Sequence, residues 1–210
     1  MKTLRLPLII ILMGITLKSI GQNKSGVKAG LNYTNNVTVG ESSEKKQNLL
    51  SFHGGVFSKI ELNEKFSLNT ELLFSRKGYK TKPNKNANPS SEGKIYFNYI
   101  NLPILIGYKV YKKIELQTGA ELGYLLSAKA KYETKTIDIS QFWDNKIDLG
   151  IAIGLEFPIN EFISINGRYV HGLTSVIKSP ITTIDENHNE IKKDIKFQNR
   201  TFQISIKIIQ

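Results

Sequence analysis

Three charged residues stand out by position rather than by motif. Glu71 lies in FSLNTELLFS, Glu121 in TGAELGY and Arg168 in INGRYVHG. In each segment the large apolar side chains fall on alternate residues, and the charged residue belongs to the other, small or polar set. A period of two describes a strand whose two faces differ. The three charges therefore share the polar faces of three strands, at similar heights along them. Away from bulk water, carboxylates and a guanidinium are stable only when paired. The expected arrangement is an internal plug in which Arg168 neutralises Glu71, Glu121 or both. The alternative is a charged constriction in a narrow pore.

Other chemistry has less support. His53, His171 and His188 are the only histidines, no two of them sit at ligand spacing, and Cys is absent. Disulfides, thiol catalysis and Cys-ligated metal are thereby excluded, and neither a metal nor a cofactor is expected. Asp138, Asp144 and Asp148 lie at or near the rim of one loop, and His171 is expected on the outward face near the rim of a later strand. No spacing there is diagnostic of hydrolysis, so no catalytic residue is assigned and the chain is not read as an enzyme. A second charged group is basic: Arg76, Lys77, Lys80, Lys82, Lys85 and Lys94 face Glu92 alone. They are read as a solvated rim that contacts the phosphates of lipopolysaccharide or an anionic surface polysaccharide.

The elements that hold these residues follow from the same period. Strands are expected at about 26–34, 50–61, 66–79, 95–108, 114–128, 147–157, 163–172 and 197–210. Pro103 inside the fourth predicts a bulge or a missing ladder bond. Short turns at 62–65, 109–112 and 158–161 alternate with long polar connections at 35–48, 80–94, 129–146 and 174–196. Aromatics gather at both ends. Phe66, Tyr108, Tyr111, Phe157 and Phe162 mark the short turns, and Tyr33, Tyr79, Tyr96, Phe97, Phe142 and Trp143 mark the long loops. Strict long–short alternation, strands of about ten residues and two aromatic girdles predict an all-β fold. It is an eight-stranded antiparallel up-and-down transmembrane β-barrel with short periplasmic turns and long extracellular loops. A soluble eight-stranded barrel gives no reason for that alternation.

The N-terminus agrees. Lys2 and Arg5 precede the apolar run LPLIIILMGITL, and Ser19-Ile20-Gly21 resembles a cleavage site. Residues 1–21 are read as a cleaved signal peptide and 22–210 as one barrel domain. Cleavage removes Lys2, Arg5 and Lys18 from the formal +11, leaving +8. An exported basic chain meets anionic lipid and polysaccharide rather than nucleic acid.

The phrases GVKAGLNYTN, KFSLNTELLFSRKG, YINLPILIGYK, ELGYLLSAK and GRYVHGLTSV resemble those of the outer-membrane β-barrel (PorT-like, "porin family") proteins of the Bacteroidota. The resemblance spans the expected mature chain. It implies localisation in the cell outer membrane and contact with outer-membrane lipid and lipopolysaccharide. It also implies handling by the barrel-insertion machinery, which commonly reads a terminal aromatic, whereas this chain ends Ile208-Ile209-Gln210. The expected function is a structural or surface-interaction role for a small barrel with a side-chain-filled lumen. The alternatives are a narrow small-solute channel and an accessory part of a secretion or assembly machine. The sequence names no protein partner. Cell fractionation should recover the mature chain in the outer membrane with Gln22 as its first residue, and recovery in a soluble fraction would contradict the barrel.

Overall fold

The computed structural model describes residues 23–39, 46–81, 93–132, 135–142, 145–175, 181–184, 190–193 and 196–210. The expected signal segment, Lys82, Lys85, Glu92, Trp143, Asp144 and His188 lie outside them. The strands are β1 (Asn23–Val39), β2 (Lys46–Glu61), β3 (Phe66–Thr81), β4 (Gly93–Tyr111), β5 (Ile114–Tyr132), β6 (Lys135–Asp138), β7 (Ile147–Pro158), β8 (Ile163–Gly172), β9 (Ile181–Ile184), β10 (Glu190–Lys193) and β11 (Lys196–Ile209). Eight of them, all but β6, β9 and β10, form one antiparallel ring. β1 pairs with both β2 and β11, and β4 with both β3 and β5, so the ring has no open edge. β6 folds back on the outer end of β5, and β9 with β10 makes a separate two-stranded sheet.

Most barrel strands run past the expected boundaries, chiefly toward the long-loop end, although β1 also starts early at Asn23 and β4 continues to Tyr111 at the short-turn end. The segment 129–146, read as loop, begins with β5 continuing to Tyr132 and then pairs β6 against it. A ladder that leaves the bilayer can continue in water, and its polar residues then read as loop by composition. At the other end the turns are tight. Asn63 Oδ1 accepts from the Lys65 and Phe66 amides at 2.9 Å, and Asn160 Oδ1 from those of Phe162 and Ile163 at 2.9 and 2.8 Å. These are Asx turns.

Pro103 has the expected effect. Pairing of β4 with β3 lapses between Thr70↔Ile104 and Leu73↔Asn101 without a change of register, while the β5 side stays paired. A bulge at Asn98/Tyr99 shifts the β4–β5 register by one residue. It also reverses the faces of β5 beyond that point. Leu125 keeps the inward parity of Glu121 and Gly123, whereas beyond Leu126 it is Ala128 and Ala130 that turn inward, and Ser127 is displaced to a half-buried position where Asn98 Nδ2 donates to it at 2.9 Å. At Gly78 the chain takes φ +147°, and a Cβ there would collide with the carbonyl oxygen of Ile95, so β3 and β4 approach as closely as they do only because that residue is glycine.

The ring is apolar outside and polar inside. On β7, Ile151 and Ile153 are 54% and 51% exposed, whereas Ala152 between them is fully buried against Leu105 and Val170. The same alternation holds along β8 and the inner half of β11. A closed belt of exposed Ile, Leu, Val and Phe is stable only where the surroundings are lipid. Replacing Ile153 with Lys should cost about 2–4 kcal/mol in a urea folding titration in lipid vesicles. Ile153→Leu should be nearly silent, whereas Ala152→Leu should cost about 1–3 kcal/mol by overpacking the interior. Equal responses of the two Leu variants would show the register to be wrong.

Candidate functional site

The interior is organised around Glu71 on β3. Arg168 on β8 donates to it through both terminal nitrogens, Nη1 to Oε2 and Nη2 to Oε1, each at 2.8 Å. This parallel fork is the strongest geometry available to a carboxylate and a guanidinium. Lys28 on β1 donates to the same two oxygens at 3.1 and 3.0 Å, and to Asn166 Oδ1 at 3.3 Å. Lys207 on β11 lies 3.5 Å from Glu71 Oε1 and donates to Glu156 Oε2 at 2.6 Å. Lys28 and Lys207 are direct cross-strand partners at the seam where the first and last strands meet. Like charges in that position repel, and Glu71 and Glu156 supply the counter-charge. All of these side chains are buried.

A second tier lies nearer the long loops. Lys77 Nζ on β3 donates to Glu121 Oε1 on β5 and to Asp148 Oδ2 on β7, both at 3.0 Å. It also sits 5.1 Å from the centre of the Tyr99 ring. Asn101 donates to Glu121 Oε1 at 2.7 Å and Asn199 to Asp148 Oδ2 at 2.9 Å. Beyond this tier the lumen turns apolar. Tyr79, Ile95, Phe97, Tyr99, Leu125 and the Ala128–Ala130 pair form a buried cluster, with Ile139 and Phe197 packed on it. Toward the short turns, Glu115 accepts from Lys59 at 2.6 Å, Asn69 at 3.1 Å and Gln117 at 2.9 Å.

Among the described residues, the ion pairs of these tiers join five cations (Lys28, Lys59, Lys77, Arg168 and Lys207) to five carboxylates (Glu71, Glu115, Glu121, Asp148 and Glu156). Within these tiers the charges balance. Between the tiers, Glu121 Oε2, Arg168 Nε and His53 Nε2 are buried without a partner among the described residues. Such atoms are normally met by water.

Of the three residues expected to form a plug, Glu71 and Arg168 are in contact. Glu121 is not bonded to Arg168 and belongs to the Lys77 tier. Lys77 itself was expected at the outer rim with Arg76, Lys80 and Lys94. It points into the lumen instead, because it shares the odd-numbered face of Glu71 and Ser75. Arg76, Lys80 and Lys94 do lie on the outer side. Asp148, read as a rim residue, is buried in the lumen, and Tyr79 and Phe97, read as girdle, form part of the inner apolar cluster. His53 Nδ1 lies 2.8 Å from Asn32 Oδ1, also inside. His171 is half-buried at the rim beside Tyr169. Asp138 is exposed on β6, where hydrogen bonds from Ser140 hold its carboxyl below the usual range. Among the described residues no group of three His, Cys, Asp or Glu is placed to hold a metal.

Lys28, Lys207, Glu156 and Glu115 were missed as network members. Each alternates with apolar neighbours that are less buried than itself and so carried the signal of a polar-face residue.

No curated protein matches the chain in sequence. Among solved structures it is similar to Neisserial surface protein A, at 13% identity over 88% of this chain and 96% of that one, TM-score 0.52. It is also similar to Ail, the attachment invasion locus protein of Yersinia pestis, in complex with the heparin analogue sucrose octasulfate. That match has 12% identity over 90% of this chain and 99% of the other, TM-score 0.50. At such identity the likeness is one of fold. The outer membrane protein beta-barrel domain family matches residues 21–178. With most of the chain matched, a closed eight-stranded ring, a polar interior and an apolar belt, the protein is a small outer-membrane barrel and belongs to the outer membrane protein beta-barrel domain family.

Proposed function

We propose that this protein is a closed barrel with a structural or surface-interaction role in the envelope, not a conduit and not an enzyme. The observation that carries the reading is the cross-lumen grip on Glu71 by Arg168, Lys28 and Lys207, with an apolar cluster between it and the outer loops. An eight-stranded ring is only wide enough for side chains to fill it. Here those side chains are locked by mutual neutralisation. Export through a cleaved signal at 1–21, assembly by the barrel-insertion machinery and kinship with the PorT-like barrels of the Bacteroidota belong to the same proposal. They rest on the sequence phrases. A narrow channel is the second reading, favoured by the unpartnered Glu121 Oε2, Arg168 Nε and His53 Nε2, which give water a polar layer between the tiers. An accessory role in a secretion machine rests on the resemblance alone.

Planar-bilayer recording tests the choice. The native protein should show conductance near zero, and Arg168→Ala should raise it. Steady native conductance would establish the channel. Stability separates the partners. Glu71→Ala leaves Arg168 and Lys28 buried without their carboxylate, with Lys207 held by Glu156 alone, and should cost about 3–5 kcal/mol in a vesicle folding titration. Arg168→Ala should cost less, because Lys28 and Lys207 still serve Glu71. The reverse order would show that Arg168, not Glu71, is the centre of the network.

A further inference from the structure

We infer that the outward face of β3, β4 and β5 at the outer rim binds the phosphorylated headgroup of an anionic glycolipid. Lys80, Lys94 and Lys131 are direct cross-strand partners and form one row of three lysines across these strands. Like charges directly opposite one another destabilise a sheet. In the lumen the same situation, Lys28 opposite Lys207, is answered by Glu71 and Glu156. On the outer row no carboxylate lies within ion-pair distance among the described residues. Lys129, two residues below Lys131, adds a fourth ammonium and faces the exposed Asp138, its register partner on β6. An anion from outside the chain resolves this imbalance.

Arg76 supplies a second, lower level. Its Nε donates to Asn98 Oδ1 at 2.8 Å, and its guanidinium carbon lies 5.1 Å from the Phe52 ring centre and 5.2 Å from that of Tyr96. Two rings and an amide fix its plane, leaving the terminal nitrogens without a bond among the described residues. That is the preorganised fork suited to a phosphate. Four residues separate Arg76 from Lys80, about 13 Å along the strand. The occupant therefore carries anionic groups at two depths. Directly below, on the same faces of the same strands, Leu72, Ile100, Leu122 and Tyr124 belong to the exposed apolar belt. Acyl chains lie there while the headgroup spans the two levels. A soluble polyanion would engage the upper row but leave the belt unused, so the chemistry favours a lipid.

The inference rests on the outer-membrane placement and is independent of whether the lumen conducts, so it can fail while the closed barrel stands, and the reverse. The folded full-length mature protein in uncharged detergent is titrated with bis-phosphorylated lipid A, its dephosphorylated form and sucrose octasulfate. The phosphorylated lipid should bind about tenfold more tightly than the dephosphorylated one, more weakly as salt rises. Combined Lys80→Gln, Lys94→Gln and Lys131→Gln should remove about that tenfold preference, and Arg76→Gln alone should remove part of it. Without lipid the triple variant should melt above the native protein, since the repulsion is gone. Adding the phosphorylated lipid should reverse that order. Equal binding of both lipid forms, unchanged binding by the variants, or sucrose octasulfate binding as tightly as the phosphorylated lipid would each overturn the inference.

Discussion

A carboxylate at the waist of a lipid-embedded barrel cannot be left to water, and Glu71 meets that constraint by gathering Arg168, Lys28 and Lys207 from β8, β1 and β11. These three strands are consecutive in the ring and include the seam between the first and last strands. Glu71 reaches them from β3, across the lumen. The ion network is thus a strut, and it braces the part of the wall that the chain closes last. The like-charged pair at the seam, Lys28 opposite Lys207, is tolerable only because of it.

Around this strut the lumen is layered. Glu115 and Glu156 with Lys59 and Lys207 occupy the short-turn side, and Lys77 with Glu121 and Asp148 the other. The apolar cluster follows beyond. Each layer draws its members from several strands, so neutralisation is local and no charge depends on a distant partner. Local pairing matters because attraction falls with distance while the desolvation penalty of each ion does not.

Much of this was legible in the sequence. Period two in IDLGIAIGLEF, the long–short alternation of connections and the two aromatic ends specify the ring and its orientation. The same period placed Glu71 and Arg168 on the inner face. What composition concealed was where the strands end. Lys77 and Tyr79 share the parity of Glu71 and fall inside the expected strand 66–79, yet Arg76, Lys80 and Lys82 beside them make them read as rim. Carrying the alternation through to the end of that strand places them inside. The bulge at Asn98/Tyr99 was beyond reach, because it reverses the faces of β5 near Leu126 without a local marker. Partner choice was equally hidden. Nothing in a single strand says that Glu121 belongs with Lys77 rather than Arg168, since that depends on stagger around the ring.

The seam strut also bears on how such a wall is assembled. Glu71 bonds to partners 43 and 97 residues away, and Lys28 to one 138 residues away. A ring lacking β8 and β11 would hold Glu71 and Lys28 without Arg168 and Lys207, and an open side would expose them to hydrocarbon. Intermediates of that kind are disfavoured in the bilayer core, so closing the seam relieves a cost that an open sheet would carry. The last strand is then the latch that makes the charges at the seam admissible in the membrane.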